Sequence, residues 1–352
     1  MHQDITTRYL GLNLRSPMVI GACPLNLQPE TVRALAISGA GGVVLPSLME
    51  EQVEQWLSDR PTLNQEGCHE QTPLLENADL CRKENEYNGG VDAYLRTIPL
   101  LKEQSGIPLI ASLNGYRDGE WLGVAKELEH AGADAIEVAI NASHCDPAAT
   151  ADQVERPLLD AIERVTDNVT IPVAVKLLPF YTTLPNLAWR LAEVGAEGVV
   201  LFGREPVWEF CEGELVPTSH WQLSSPGLLQ TTLSGLLRVR SGGPNLSVAA
   251  SGGIATTVDV IHAITAGADI AMITSEIYRT GPDSVAHLIE GISAYLTRHG
   301  FHSFTELVDN RRQQALHRDR RTQVEPMLRP VEKQKSTQTT PQQGDRWGHP
   351  VK

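Results

Sequence analysis

The sequence predicts an α/β fold, a closed (β/α)8 TIM barrel with long loops after its second and sixth strands. Four short apolar segments follow a helix-like stretch and a glycine turn, as a buried strand follows a helix capped by glycine. These turns begin at Gly39, Gly132, Gly195 and Gly267. Between them lie four further apolar segments, which start at Pro17, Pro108, Pro172 and, without a proline, Leu246. Because a strand tolerates proline at its first residue, the two sets together give eight strands separated by helices, which is typical of a parallel barrel.

The predicted elements follow in order along the chain. The strands are expected at 18–21, 42–46, 108–112, 135–140, 172–177, 198–202, 247–251 and 270–274. The helices are expected at 29–38, 91–104, 119–130, 151–166, 185–194, 228–239, 256–266 and 283–297. The connections 47–90 and 203–227 are too long for simple loops, and long loops in a compact domain are usually functional. Both follow the C-terminal end of a strand, where barrel enzymes carry their active sites, so we expect them to wall or cover a substrate pocket.

Length and charge divide the chain into two parts. The 352 residues suit one barrel, assigned to 1–310, and a basic tail, assigned to 311–352. From residue 311 onward there are ten basic and four acidic residues, in a chain whose net charge is -14. Beyond residue 331 the tail has almost nothing apolar to bury, which predicts disorder rather than a binding arm.

Composition excludes several classes of function. The acidic body disfavours nucleic acid as a partner, and no apolar run is long enough to cross a membrane. The five cysteines are scattered without a CxxC pair, which argues against a disulfide framework or a metal site and suits a reducing cytoplasm. They are Cys23, Cys68, Cys81, Cys145 and Cys211. The sequence therefore predicts a cytoplasmic protein that acts on a small molecule.

A phosphate site is predicted after the last two strands. Gly252 and Gly253 follow the seventh strand and precede a helix, so backbone N–H groups there can approach a phosphate. Thr274 and Ser275 end the eighth strand and add hydroxyl donors, in the place where many barrels bind phosphate. A plain turn and helix cap is the alternative interpretation.

Lys176 continues the buried fifth strand, where an unpaired charge is costly. It could be a cation beside an electron-rich cofactor, a Schiff-base amine, or half of a structural ion pair with Glu137. Ser112 and Asn114 after the third strand, and Asn88 in the first long loop, offer further polar groups to the same end of the barrel.

Taken together, the motifs resemble the dihydroorotate dehydrogenase family, in its soluble class 1 branch, over roughly residues 4–310. The segments that carry the resemblance are 9–12, 16–17, 21–25, 45–48, 50–52, 110–115, 173–177, 251–254 and 281–283. The resemblance implies an FMN-dependent flavoprotein that oxidises a CH–CH bond, by default dihydroorotate to orotate in pyrimidine biosynthesis. It also implies a homodimer. The sequence leaves the electron acceptor open between fumarate, NAD through a partner subunit, and quinone, although no hydrophobic N-terminal helix pair supports a membrane quinone route.

The resemblance assigns roles to individual positions. It places Lys176 beside the flavin ring as a catalytic cation and Asn88 on the substrate. The cofactor-binding positions are Ala22, Ser47, Asn114, Lys176, Gly252, Gly253, Thr274 and Ser275. Orotate is held in the family largely by asparagine amides, and the asparagine expected after the sixth strand is Gly203 here, while a lysine often found after the second strand is Pro46.

The general base is predicted in the loop after the fourth strand. Soluble family members carry Asn-x-Ser-Cys there, with the cysteine as base. An ungapped count places alanines at the asparagine and cysteine positions, whereas one extra residue aligns Ser143, His144 and Cys145 with the motif. Cys145 or His144 would then be the base, histidine having the pKa nearest neutrality; the alternative is that these residues only decorate an exposed loop.

Two rival functions use the same barrel. One is a Schiff-base aldolase or phosphate-binding isomerase that uses Lys176 as its amine. The other is a flavin-binding barrel that has lost its base and serves as a regulator or partner subunit.

Overall fold

The computed structural model describes residues 3–59, 85–140, 147–210 and 217–315. The chain divides into two compact units, Met1–Arg311 and Arg312–Lys352. The first unit contains the barrel; of the second, the structure describes residues 312–315.

Eight parallel strands close into a barrel, which confirms the predicted fold class. They are β3 (Met18–Ile20), β4 (Gly42–Met49), β5 (Leu109–Gly115), β6 (Ala135–Ile140), β7 (Val173–Leu177), β8 (Gly198–Leu201), β11 (Ser247–Ser251) and β12 (Ile270–Ile273). Their order around the barrel is their order in the chain, and β12 closes the ring by pairing with β3, Ala271 opposite Met18. Two antiparallel hairpins are additions that the sequence did not predict: β1 (Thr7–Tyr9) with β2 (Leu12–Leu14), and β9 (Val207–Phe210) with β10 (Pro217–His220).

Helices lie between the strands close to their predicted positions. They are α1 (Pro29–Ile37), α2 (Glu50–Ser58), α3 (Val91–Ser105), α4 (Val124–Ala131), α5 (Ala151–Asn168), α6 (Leu184–Glu193), α7 (Leu228–Gly242), α8 (Thr257–Ala266), α9 (Ser275–Thr280), α10 (Asp283–His299) and α11 (Phe304–Ala315). The helix predicted at 119–130 is interrupted, because Glu120–Gly123 forms a 3-10 turn before α4 begins. Helices α2, α9 and α11 were not predicted.

Local sequence sets the helix ends. Thr256 begins α8 through a reciprocal cap, in which its hydroxyl accepts from Asp259 N–H and the Asp259 carboxylate accepts from Thr256 N–H. Gly267 ends the same helix at φ 135°, and a Cβ there would lie 2.4 Å from Arg240 Cγ. Only glycine combines that backbone conformation with that close approach, which is why the predicted turn leads directly into β12.

The core has two layers. The outer layer packs the helices against the barrel, and the inner layer fills the barrel with Val19, Val44, Ile110, Val200 and other buried apolar side chains. Strand β6 is buried at every position, as expected for a parallel strand covered on both faces.

The β1–β2 hairpin closes the N-terminal end of the barrel. Leu10 is buried with the inner layer, and its N–H donates to Ser247 Oγ at 3.0 Å, at the first residue of β11. A Cβ on Gly198, the first residue of β8, would lie 2.5 Å from Leu10 Cδ2. With this end plugged, a ligand reaches the barrel from the C-terminal end.

Asp269 ties three elements together at the same closed end. Its carboxylate accepts from the Val248 N–H at 2.9 Å, from Arg240 at 2.6 Å and from Arg311 at 2.8 Å. Arg311, which lies in the predicted tail, is buried here and lies on α11, a helix that runs across the predicted boundary at 310.

Candidate active site

Lys176 and Glu137 form an ion pair inside the C-terminal end of the barrel. The Nζ of Lys176 lies 2.6 Å from Glu137 Oε1, and the exposed fraction of the side chain is 19% for Lys176 and 1% for Glu137. This is the ion pair that the sequence offered as an alternative. Glu137 Oε2 has no hydrogen-bond partner in the part of the chain that the structure describes. Because buried carboxylate oxygens are nearly always bonded, we expect Oε2 to accept a hydrogen bond from a bound group.

The ion pair belongs to a row of polar side chains across four neighbouring strands. Ser47 on β4 is opposite Ser112 on β5, with 2.8 Å between their Oγ atoms. Ser112 is in turn opposite Glu137 on β6. The register of β4 shifts between Val44 and Ser47, and this irregularity brings Ser47 level with Ser112. The row separates the apolar inner layer from the open end of the barrel.

Asn114 and Ala22 lie near this row. Asn114 is two residues beyond Ser112 on β5, opposite Met49, and is half-buried. Ala22 follows β3 and packs against the inner apolar layer. The structure therefore places both at the open end, as predicted for residues that contact a flavin, while their contact with a cofactor stays a prediction.

The predicted phosphate loop adopts a conformation that needs glycine. Gly252 has φ 102° and Gly253 has φ 75°, a region that side chains rarely adopt. A Cβ on Gly253 would lie 2.3 Å from the backbone N of Leu229, so this loop packs directly on the first turn of α7. Thr232 of α7 donates to the carbonyl of Ser251 at 3.0 Å and holds the loop there.

Thr274 and Ser275 lie on the neighbouring strand end. A Cβ on Gly21 would lie 2.4 Å from Thr274 Oγ1, so this hydroxyl lies directly over the end of β3. Ser275 Oγ is bonded to Ser224, accepting from its N–H at 2.8 Å and lying 2.9 Å from its Oγ. The second predicted phosphate element is thus adjacent to Ala22 and is linked to the loop that follows β8.

Asn88 is held in a buried amide network. Its Nδ2 donates to the Ser47 carbonyl at 2.8 Å and to Gln52 Oε1 at 2.7 Å. Its Oδ1 accepts from Gln52 Nε2 at 2.8 Å and from Gly90 N–H at 3.0 Å. These four bonds use the donors and acceptors of the amide, so its geometry explains a role in fixing the loop after β4, and its role in binding substrate stays a prediction.

The predicted base residues lie outside the described residues. Strand β6 ends at Ile140, and Ser143, His144 and Cys145 fall in 141–146. Their assignment stays a prediction.

A second group of side chains at this end was not found from the sequence. Cys23 is buried and hydrogen-bonded to Tyr278 of α9; burial raises the pKa of its thiol to about 11, although Tyr278 and Lys176 act in the opposite direction. Arg204 follows β8 and lies over the ring of Trp221. The available signal was position, because Arg204 is a charged residue two residues after the predicted sixth strand.

The described residues show neither a membrane-spanning helix nor a cluster of metal ligands. None of the helices in that part of the chain is both long and apolar enough to cross a membrane. The same residues contain no group of three histidine, cysteine, aspartate or glutamate side chains arranged to hold a metal ion.

Comparison with known proteins gives consistent matches. The family model described as dihydroorotate dehydrogenase matches residues 85–296. The chain is 25% identical to the catalytic subunit of dihydroorotate dehydrogenase B (NAD(+)) of Pyrococcus furiosus, over 87% of this chain and 98% of that protein. It is 23% identical to the subunit of the same name from Methanothermobacter thermautotrophicus, over 86% and 97%. It is 26% identical to a putative dihydroorotate dehydrogenase A (fumarate) of Aeropyrum pernix, over 58% and 68%.

Proposed function

The chain belongs to the dihydroorotate dehydrogenase family, and from that membership we propose that it is an FMN-dependent oxidoreductase that converts dihydroorotate, or a closely related small carboxylate, to its CH=CH product. Members of this family are flavin-dependent oxidoreductases. The observation that carries the proposal is the family match over 85–296, which spans the barrel from α3 to α10 and includes Lys176, both phosphate-loop glycines and Thr274.

The residues at the open end fit FMN. A flavin ring has a carbonyl-rich edge and an N–H, and the polar row supplies a cation, hydroxyls and a carboxylate oxygen that no described residue bonds. The glycine loop after β11 and the hydroxyls after β12 would hold the phosphate. When bound, FMN supplies the hydride acceptor.

The side chains have distinct roles in this proposal. Lys176 would provide a positive charge beside the bound cofactor, and Glu137 fixes the position of its ammonium group. Beneath them, the inner apolar layer excludes water from the closed side of the site. Cys145 or His144, with Ser143 beside them, would take the proton that leaves the substrate as hydride is lost.

The Lys176–Glu137 pair disfavours the Schiff-base alternative. A lysine that adds to a carbonyl needs a neutral amine, whereas here a buried carboxylate lies 2.6 Å from the nitrogen. The non-catalytic alternative has no structural feature in its favour among the described residues. The relatives named as NAD(+) enzymes lead us to expect NAD, through a partner subunit, as the final electron acceptor, and the homodimer and the cytoplasmic location stay predictions.

Anaerobic reduction tests the proposal. The purified protein, loaded with FMN, is mixed with dihydroorotate without oxygen, while flavin absorbance and orotate are followed. We expect the flavin to bleach with one orotate formed per flavin. Dithionite serves as the control, because it reduces any bound flavin. A flavin that dithionite bleaches and dihydroorotate does not would contradict the proposed substrate.

A further inference from the structure

Arg204 follows Gly203, the residue that packs against Lys176 at the open end of the barrel. Phe202 N–H donates to the Ser251 carbonyl at 2.9 Å and Gly203 N–H donates to the Leu177 carbonyl at 2.8 Å, which fixes the chain after β8 between its two neighbouring strands. A Cβ on Gly203 would lie 3.5 Å from Lys176 Cγ. Arg204 is the next residue and is half-buried.

The guanidinium group of Arg204 is held by polar and aromatic neighbours. It lies 5.4 Å from the centroid of the Trp221 ring and donates to the carbonyl of Gln222. Tyr278 lies close enough to interact with it electrostatically, and burial lowers the pKa of the guanidinium. These contacts fix the orientation of the planar group, and none of them is with a carboxylate.

The lack of a counterion sets Arg204 apart from other half-buried or buried arginines. Within the described ranges it forms no ion pair, whereas each of the following does: Arg164, Arg190, Arg240 and Arg311. Lys176, the neighbouring cation, is also paired. Removing an arginine from water costs free energy that a carboxylate partner normally offsets, and among the described residues no carboxylate does so for Arg204.

We propose that Arg204 binds the carboxylate group of the substrate and determines specificity for planar anionic ligands. The guanidinium fork matches a carboxylate with two parallel hydrogen bonds, and Trp221 keeps the fork rigid. The guanidinium of Arg204 would then bind the substrate in place of the asparagine amide that the family carries at the position of Gly203. This inference rests on the proposed function, since it takes the substrate to be a small carboxylate bound beside Lys176.

Paired ligands that differ only in the carboxylate test the inference. Dissociation constants of orotate and uracil are measured on the FMN-loaded protein by flavin difference spectra, for wild type, Arg204→Gln and Arg204→Lys. The control variant is Arg298→Gln, because Arg298 is exposed on α10. Loss of a charge-assisted bond should weaken orotate binding by about 10- to 100-fold in Arg204→Gln, less in Arg204→Lys, and leave uracil binding and FMN content unchanged.

Where the wild type binds orotate, any of three results would overturn the inference: unchanged orotate affinity in Arg204→Gln, equal weakening of orotate and uracil, or loss of FMN with the variant. If the wild type holds FMN but does not bind orotate, the proposed substrate fails separately. Benzoate and benzamide then replace the pair, and the Arg204 inference stands only if the variant selectively loses benzoate. A wild type that binds neither orotate nor benzoate contradicts it.

Discussion

Buried charged groups differ between the two ends of the barrel in how fully they are bonded by neighbouring residues. At the closed N-terminal end, both oxygens of Asp269 are bonded, and the two arginines that meet it are held by that carboxylate and by backbone carbonyls. At the open C-terminal end, one oxygen of Glu137 has no partner and Arg204 has no counterion in the described part of the chain. Bonding of both Asp269 oxygens serves stability, whereas an unbonded carboxylate oxygen at the open face indicates a site prepared for a ligand. Removing a charge at the closed end should therefore lower stability, whereas removing one at the open end should also change the reaction at the site.

The largest expected effect is at the closed end. Asp269→Ala leaves Arg240 and Arg311 without their carboxylate, and removing one partner of a buried ion pair costs about 3–5 kcal/mol. Urea unfolding measures the loss. Asp160→Asn, at an exposed position of α5, is the control and should change the free energy of unfolding by less than about 0.5 kcal/mol. If Asp269→Ala and Asp160→Asn changed the free energy of unfolding equally, the bonds of Asp269 would not stabilise the closed end.

At the open end, Lys176→Met should slow anaerobic flavin reduction by about 10²- to 10³-fold, because the charge that stabilises the reduced form is gone. It also leaves Glu137 buried without its cation, so stability falls. The double variant Lys176→Met with Glu137→Gln removes both charges. The double variant should recover most of the stability and none of the rate of flavin reduction. A recovered rate would show that the charge of Lys176 does not contribute to flavin reduction.

Cys23 provides a test of the open end by pH. Only the thiolate reacts with alkylating reagents, and a pKa of about 11 instead of 9.0 leaves far less thiolate at neutral pH. Alkylation of Cys23 at pH 8, followed by peptide mass spectrometry, should be about 100-fold slower in the folded than in the urea-unfolded chain. The rate should rise as pH approaches 11; a folded-state rate that levels off near pH 9 would be inconsistent with the buried thiol.

The smallest expected effect concerns the glycine loop. Gly253→Ala places a Cβ 2.3 Å from Leu229 N and keeps a positive φ, so we expect a loss of about 1–3 kcal/mol and weaker FMN binding. Gly11→Ala is a matched control, because Gly11 has φ 72° with no atom near its added Cβ. It should show the backbone strain alone and normal FMN binding. Equal FMN affinity in both variants would show that the glycine loop does not bind FMN.

The fold could be predicted because each barrel strand is a short buried run with a recognisable start. A glycine cap such as Gly267 or a proline such as Pro172 marks these starts in the sequence. The β9–β10 hairpin could not be predicted in this way, because Val207–Phe210 is exposed at every position and so lacks the alternation that a half-buried strand shows. The β1–β2 strands are three residues each, too short for any pattern.

The site could be predicted only in part. The pairing of Lys176 with Glu137 could be predicted because the two residues lie on adjacent strands of the predicted barrel. The meaning of Arg204 depends on Trp221 and Tyr278, which are distant in sequence and have no shared motif. The hydrogen bonds of Asn88 to Ser47 and Gln52 also could not be predicted from the sequence, and its role in binding substrate stays a prediction.

Flavin uptake tests the central claim most directly. The full-length protein, stripped of bound small molecules, is titrated with FMN, and flavin absorbance and fluorescence are followed alongside the Gly11→Ala and Gly253→Ala variants. We predict one tightly bound FMN per chain, with a spectrum shifted from that of free FMN and affinity reduced only in Gly253→Ala. A correctly folded protein that takes up no FMN would contradict the account.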